Sequence, residues 1–165
     1  MPEESSPIVV NTGPLIALTH GGVIDLLSRL PYQCISTPQV FDELANDTGP
    51  GKVVVPGDFI AIERLEHELD AQLVEKLDPG EASVIQLARE RGVKRVCIDE
   101  LRGRRAAREA GLTVTGSLGL LAQMKQHQLL VKIKPVLDKM LAAGFFVSEE
   151  LIEQVLRDAG EWTES

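Results

Sequence analysis

Aromatic side chains are scarce in this chain of 165 residues: four Phe, one Tyr and one Trp, or 4% of the composition. That scarcity excludes a broad aromatic platform for stacking successive bases. The core must instead be built from Leu, Val, Ile and Ala, the usual filling between helices and a parallel sheet. Cysteine is nearly as rare, and Cys34 and Cys97 each sit inside an apolar stretch, which points to buried reduced thiols rather than a disulfide. The three histidines, His20, His67 and His127, are scattered without metal-ligand spacing. Basic residues are outnumbered 17 to 25, leaving a formal charge of −8, so the surface as a whole repels polyanions and any nucleic-acid contact must be local. No apolar run approaches the roughly 18 residues of a membrane span. The acidic start MPEESSP lacks the basic flank of a signal peptide, so the protein is expected to be cytoplasmic. There is no phosphate-cradling GxxxxGK[ST], no GxGxxG after a strand and no GxSxG, since Gly116-Ser117-Leu118-Gly119 has the wrong spacing. Nucleotide-driven motors, dehydrogenases and serine hydrolases are thereby disfavoured.

What is present suits one α/β domain. Hydrophobic residues make up 44% and charged residues 25%, ordinary globular usage. Short apolar strands are expected at 8–10, 33–36, 59–62, 95–98 and 112–114, with a Gly- and Pro-rich loop at 49–57. Helices are expected to start near Leu15, over 23–29, after Thr37-Pro38, over 66–77, after Asp78-Pro79, from Asp99-Glu100 to Ala110, after Gly116, and over 135–143 and 148–158. Alternating strands and helices imply a mainly parallel central sheet of four to five strands, flanked by helices on both faces. Residues 1–165 read as a single domain, with residues 1–6 expected to be flexible and 130–165 a C-terminal helical extension packed on the rest.

In open parallel sheets, chemistry gathers beyond the carboxyl ends of the strands. Asn11 and Asp99 each follow an apolar strand directly, and Thr115 and Ser117 follow a third. Glu43 borders the apolar stripe of Val40, Phe41 and Leu44, where a carboxylate either reaches a cleft or is simply solvated. Glu81 stands three residues after Asp78 and also fits a capping box. Asn11 also fits an Asx-turn.

These residues lie in motifs that resemble the PIN-domain ribonucleases, in particular a VapC-like toxin subgroup. The motifs are IVVNTGPLIAL at 8–18, VFDEL at 40–44, PGEASVIQLA at 79–88 and CIDELRGRRAAREAGLTVTGSLGLL at 97–121, with FFVSEELIEQVL at 145–156 in support. The resemblance implies that the first and fourth main strands are adjacent and that Asn11, Glu43, Glu81 and Asp99 share one acidic catalytic pocket. Asn11, Glu81 and Asp99, with Glu100 as an accessory, are then the expected ligands of Mg²⁺ or Mn²⁺, which suit hard oxygen donors. Glu43 would ligate or orient the attacking water. The implied activity is metal-dependent endoribonucleolytic cleavage by the toxin of a toxin–antitoxin pair, with a homodimer and a small antitoxin as expected partners. The chain departs from the family at Asn11, where an Asp is usual, so an RNA- or partner-binding module with weakened catalysis is the alternative.

Arg102, Arg104, Arg105 and Arg108 cluster on the helix after Asp99. They are candidate RNA contacts along with Thr12, Thr115 and Ser117, or else a solvated face paired with Glu100 and Glu109.

Overall fold

The structure is a computed structural model that describes residues 6–46 and 59–163. The loop expected at 49–57 and the flexibility expected of residues 1–5 lie outside the described residues. Ser6 is held at its carbonyl, which accepts a hydrogen bond from Arg95 Nη1 at 2.9 Å.

Among the described residues, five three- or two-residue strands, β1 (Ile8–Val10), β2 (Cys34–Ser36), β3 (Ala61–Ile62), β4 (Arg95–Cys97) and β5 (Thr113–Thr115), form one sheet in the order β3-β2-β1-β4-β5. Every pairing is parallel. All residues of β1 and β2 are buried, as uninterrupted apolar runs require when both sheet faces are covered. The chain leaves β1 toward β2 on one side and returns to place β4 on the other. The strand order therefore reverses between β1 and β4, and right-handed crossovers put the helices before and after that reversal on opposite faces.

Among the described residues, eight α-helices cover the sheet: α1 (Thr12–His20), α2 (Pro38–Asn46), α3 (Ala71–Lys76), α4 (Pro79–Arg91), α5 (Leu101–Glu109), α6 (Ser117–Gln126), α7 (Lys134–Ala142) and α8 (Glu149–Asp158). A 3₁₀ helix spans Ile24–Arg29, where a regular helix was expected. Helix α4 packs on α3 and α5, α1 packs on α6 and α7, and α2 touches both α1 and α4. Helix α4 is buried along nearly its whole length, from Gly80 to Ala88, and is stopped by Gly92 in the left-handed conformation at φ 67°. The C-terminal helices contribute Val136, Leu137, Met140 and Leu156 to the core. Both cysteines are free and buried, and burial pushes the Cys34 thiol up to about 12.

The expected polar helix over 66–77 is shortened to α3. Its N-terminal half is captured by side chains of α4: the backbone N–H groups of Glu66 and His67 donate to the Glu90 carboxylate, and that of Asp70 donates to Gln86 Oε1 at 2.8 Å. With those donors satisfied from outside, the segment has no need of intrahelical bonds. Asp70 then caps the helix that remains, accepting from Gln72 N at 2.9 Å.

Candidate metal and RNA site

The carboxyl ends of β1 and β4 meet where the strand order reverses. Val10 is in register with Cys97, and the next residue is tied across by a bond from Asn11 N to Cys97 O of 3.0 Å. Asn11 follows β1 directly and occupies the N-cap position of α1, yet its side chain makes no capping bond. The Asx-turn is therefore not formed. Asn11 is only 4% exposed, and its Oδ1 is buried without a hydrogen-bond partner. A buried acceptor left in this state costs about 1–3 kcal/mol, which a ligand would recover.

The next two residues link Asn11 to the other candidates. Thr12 donates its hydroxyl to Glu43 Oε2 at 2.8 Å, while Glu43 Oε1 accepts from Gly80 N at 2.8 Å. Glu43 thus fastens α2 to the starts of α1 and α4. A Cβ at position 80 would overlap its carboxylate, so only glycine admits this approach. Burial, and after it the nearby Asp78, raises the pKa of Glu43 in spite of these two donors. Gly13, in turn, lies beside Asp99: a Cβ there would stand 4.0 Å from Asp99 Oδ2.

Asp99 is fixed from the start of α6. Its Oδ1 accepts from Ser117 N at 2.7 Å and its Oδ2 from Ser117 Oγ at 2.6 Å. Arg104 lies alongside, donating Nη1 to Ile98 O at 2.8 Å; a Cβ on Gly116 would meet both Asp99 Oδ1 and Arg104 Nη1. Thr115 lies against Gly119 of α6.

Glu81 resolves the choice between cap and ligand, because it has an oxygen for each. Its Oε1 accepts from Asp78 N at 3.4 Å and its own N–H donates to Asp78 Oδ1 at 2.8 Å, a complete capping box. Its Oε2 is buried and unpartnered, and it is walled in by α5: a Cβ at Gly103 would lie 2.5 Å from it. Burial, then Asp78, then the charge of Glu100 push the Glu81 pKa up to about 7. Among the described residues, Asp78, Glu81 and Glu100 are the three acidic groups with ligand oxygens all within 4.8 Å of one another.

Glu81 and Glu100, two of the expected ligands, therefore come together, with Asp78 as a third that the motif did not supply. Asn11 and Asp99 stand at the adjoining strand ends. The signal for Asp78 was in the spacing: a capping box necessarily brings its first and fourth side chains together, and here both are carboxylates. The donors are hard oxygens and two of them, Asn11 Oδ1 and Glu81 Oε2, lack partners, which fits Mg²⁺ or Mn²⁺.

The four arginines of α5 diverge. Arg104 turns to the Ile98 carbonyl, Arg102 reaches Lys76 O at 3.4 Å, and Arg105 and Arg108 are exposed. Among the described residues none of the four forms a salt bridge with Glu100 or Glu109.

The profile of a family described as a PIN domain matches residues 7–161. The chain belongs to the PIN-domain family. No curated protein matches the chain. PIN domains are in general nucleases dependent on divalent metal, and the acidic cluster around Glu81 lies where the chain could hold such an ion. No helix among the described residues is long and apolar enough to cross a membrane.

Proposed function

We propose that the protein is a Mg²⁺- or Mn²⁺-dependent endoribonuclease that hydrolyses RNA phosphodiester bonds. On the VapC-like character of its motifs, we place it as the toxin of a toxin–antitoxin pair, acting in the cytoplasm as a homodimer restrained by a small antitoxin. The observation that carries the nuclease reading is that, of the three buried, unpartnered side-chain oxygens among the described residues, two are Asn11 Oδ1 and Glu81 Oε2, both expected ligands in a PIN domain, the third being Gln39 Oε1. Residues 1–165 act in this reading as one domain, with 130–165 its packed helical extension.

Asn11, Glu81 and Asp99 would hold the cation, with Asp78 and Glu100 at its margin. A divalent cation there supplies a more acidic bound water and neutralises charge on the reacting phosphate and on the leaving 3′ oxygen. The chain's own residues do the positioning. Ser117 locks the Asp99 carboxylate through both its oxygens, so no reorientation is needed when substrate arrives. Glu43, held by Thr12 and Gly80 and with its proton affinity raised, is placed to accept a proton from an attacking water. Arg104 puts a permanent cation beside Asp99 for a phosphate oxygen. Arg102, Arg105 and Arg108 extend the positive potential outward as RNA contacts, while Thr12, Thr115 and Ser117 line the strand ends.

The test is cleavage of a mixed RNA pool across Mn²⁺ and Mg²⁺ titrations by the parent, Asp99→Asn and Asn11→Asp. Metal-dependent cutting that Asp99→Asn abolishes is the expected result. Cutting that survives Asp99→Asn overturns the site. Silence in the parent with cutting by Asn11→Asp means that the amide has disarmed the enzyme. Silence in both leaves a binding module.

A further inference from the structure

A cleft of about 530 Å³ runs from Asp99 along the side of α1 to the connection between α7 and α8. Its two ends differ in chemistry. At one end are Gly13, in the first turn of α1, and the carboxylates of Asp99 and Glu100. At the other are Ile16, His20 and the pair Phe145 and Phe146. In a chain with four phenylalanines, two stand together in the cleft that also contains Asp99.

The local backbone explains the presentation of that pair. Helix α7 ends at a turn through Gly144, whose φ of +105° favours glycine, and Phe145 N then bonds back to Met140 O at 3.0 Å. In the segment that follows, exposure alternates. Phe145 and Val147 pack against the core, whereas Phe146 is 95% exposed. Leu101, 80% exposed at the start of α5, also lines the cleft. Two large apolar side chains are thus kept in water beside the acidic site, at a cost in burial that the fold does not recover.

We propose that this cleft is a nucleobase subsite, in which the base adjoining the scissile phosphate stacks on Phe146 while that phosphate lies at Asp99. The inference rests on the nuclease reading above and assigns its substrate contact. With the divalent cation of that reading on Asp99 to bridge the like charges, a nucleotide would match the cleft, its phosphate at the carboxylates and its flat, weakly polar ring on the phenylalanines. The volume is on the scale of small-ligand sites, about 300–1,000 Å³. His20, at the apolar end, offers a ring nitrogen to a base edge. Single-stranded RNA is the form that can deliver a splayed base to such a site.

The probe is a fluorescein-labelled pool of random RNA hexamers, compared with a hexamer of abasic ribose-phosphate units, with anisotropy read in Ca²⁺ so that binding is measured apart from cleavage. Phe146→Ala weakens binding of the base-bearing pool roughly tenfold, as expected for one stacked base, and leaves the abasic strand unaffected. Phe146→Trp retains the parent affinity, and Leu101→Ala gives a smaller loss of the same kind. Equal loss on both strands, or no loss on the base-bearing pool, overturns the subsite. If Phe146→Ala instead abolishes self-association in sedimentation while RNA affinity stays at the parent value, a second copy of the chain occupies the cleft and the proposal falls. Base-dependent binding without metal-dependent cleavage of the pool would sink the nuclease reading and leave the subsite standing.

Discussion

Glu81 and Glu161 are both enclosed carboxylates, Glu81 buried and Glu161 half-buried with its side chain 6% exposed, but their surroundings are opposite. Glu161, just after α8, accepts from Lys125 Nζ at 2.8 Å, from Ile133 N at 2.8 Å and from Lys134 N at 3.0 Å. Burial alone would raise its pKa, yet Lys125 and the two backbone donors together lower it. Glu81 has one weak donor on Oε1, none on Oε2, and the acidic groups Asp78 and Glu100 beside it. Residue type is shared: at Glu81 deeper burial and missing donors act together to raise the pKa, whereas at Glu161 the donors outweigh the burial. A carboxylate that serves the fold is surrounded by N–H groups; one left short of them weighs on the fold once it ionises.

The contrast is broken most severely from the Glu161 side. Glu161→Ala leaves two backbone N–H groups without their acceptor and takes one of the two partners of Lys125, which keeps the Ala159 carbonyl, and should cost about 2 kcal/mol, or roughly 4–8 °C in melting temperature for a chain of this size. RNA cleavage, measured well below the melting point, should stay at the parent rate, because the clasp lies at the C-terminal helices. The sign with pH follows from the lowered pKa. The stabilisation is present above the unfolded value near 4.5 and is lost as pH falls through the lower folded value. The melting-point gap between parent and variant should therefore narrow below about pH 4. A loss under about 1 kcal/mol would mean that the donors around Glu161 do little, and the comparison would fail.

Glu81 should respond in the opposite direction. Its folded pKa, about 7, lies above the ordinary value of 4.5. Ionisation therefore burdens the cation-free fold progressively as pH rises from about 4.5 through 7. Glu81→Gln keeps the acceptor for Asp78 N and removes the charge, so without metal it should melt higher at pH 8, by on the order of 1 kcal/mol or about 2–4 °C. The advantage should vanish at pH 4. Added Mn²⁺ should raise the melting point of the parent and move the variant far less, since ligand binding stabilises only a fold that can hold it. A variant that melts below the parent at pH 8 without metal would show that Glu81 already has a counter-charge.

Much of this contrast was invisible in the sequence, for definable reasons. The strands, the Asp78-Pro79 start of α4 and its Gly92 stop were legible because each is written in local chemistry: an apolar run, a cap, a left-handed glycine. Strand neighbours are not local. The adjacency of β1 and β4 came from the resemblance, since no periodicity in 8–10 or 95–98 can specify it. The helix expected over 66–77 went astray because Gln86 and Glu90, about twenty residues away, take over backbone donors that a local pattern assigns to the helix. At the site, Asn11, Glu81 and Asp99 were identifiable as candidates, whereas Asp78 was seen only as a cap. The Glu161 clasp depends on contacts with Lys125 and Ile133, far away in the chain, and nothing beside Glu161 announces it.

The smallest effect, and the sharpest distinction, is expected at Asn11. Asn11→Asp puts a second oxygen and a full charge into a position only 4% exposed, where burial should penalise the ionised form. Position 11 is also the N-cap of α1, where a carboxylate meets the positive end of the helix. Those two contributions oppose each other at about 1 kcal/mol apiece, so without metal the melting point should move by less than about 2 °C. With Mn²⁺ only the burial penalty is relieved, and the variant should gain more from the metal than the parent does. The increment measures how much negative charge the pocket lacks. If Mn²⁺ stabilises both proteins equally, the Asn11 oxygen is not a cation ligand, and the deficit that separates this pocket from the Glu161 clasp resides at Glu81 alone.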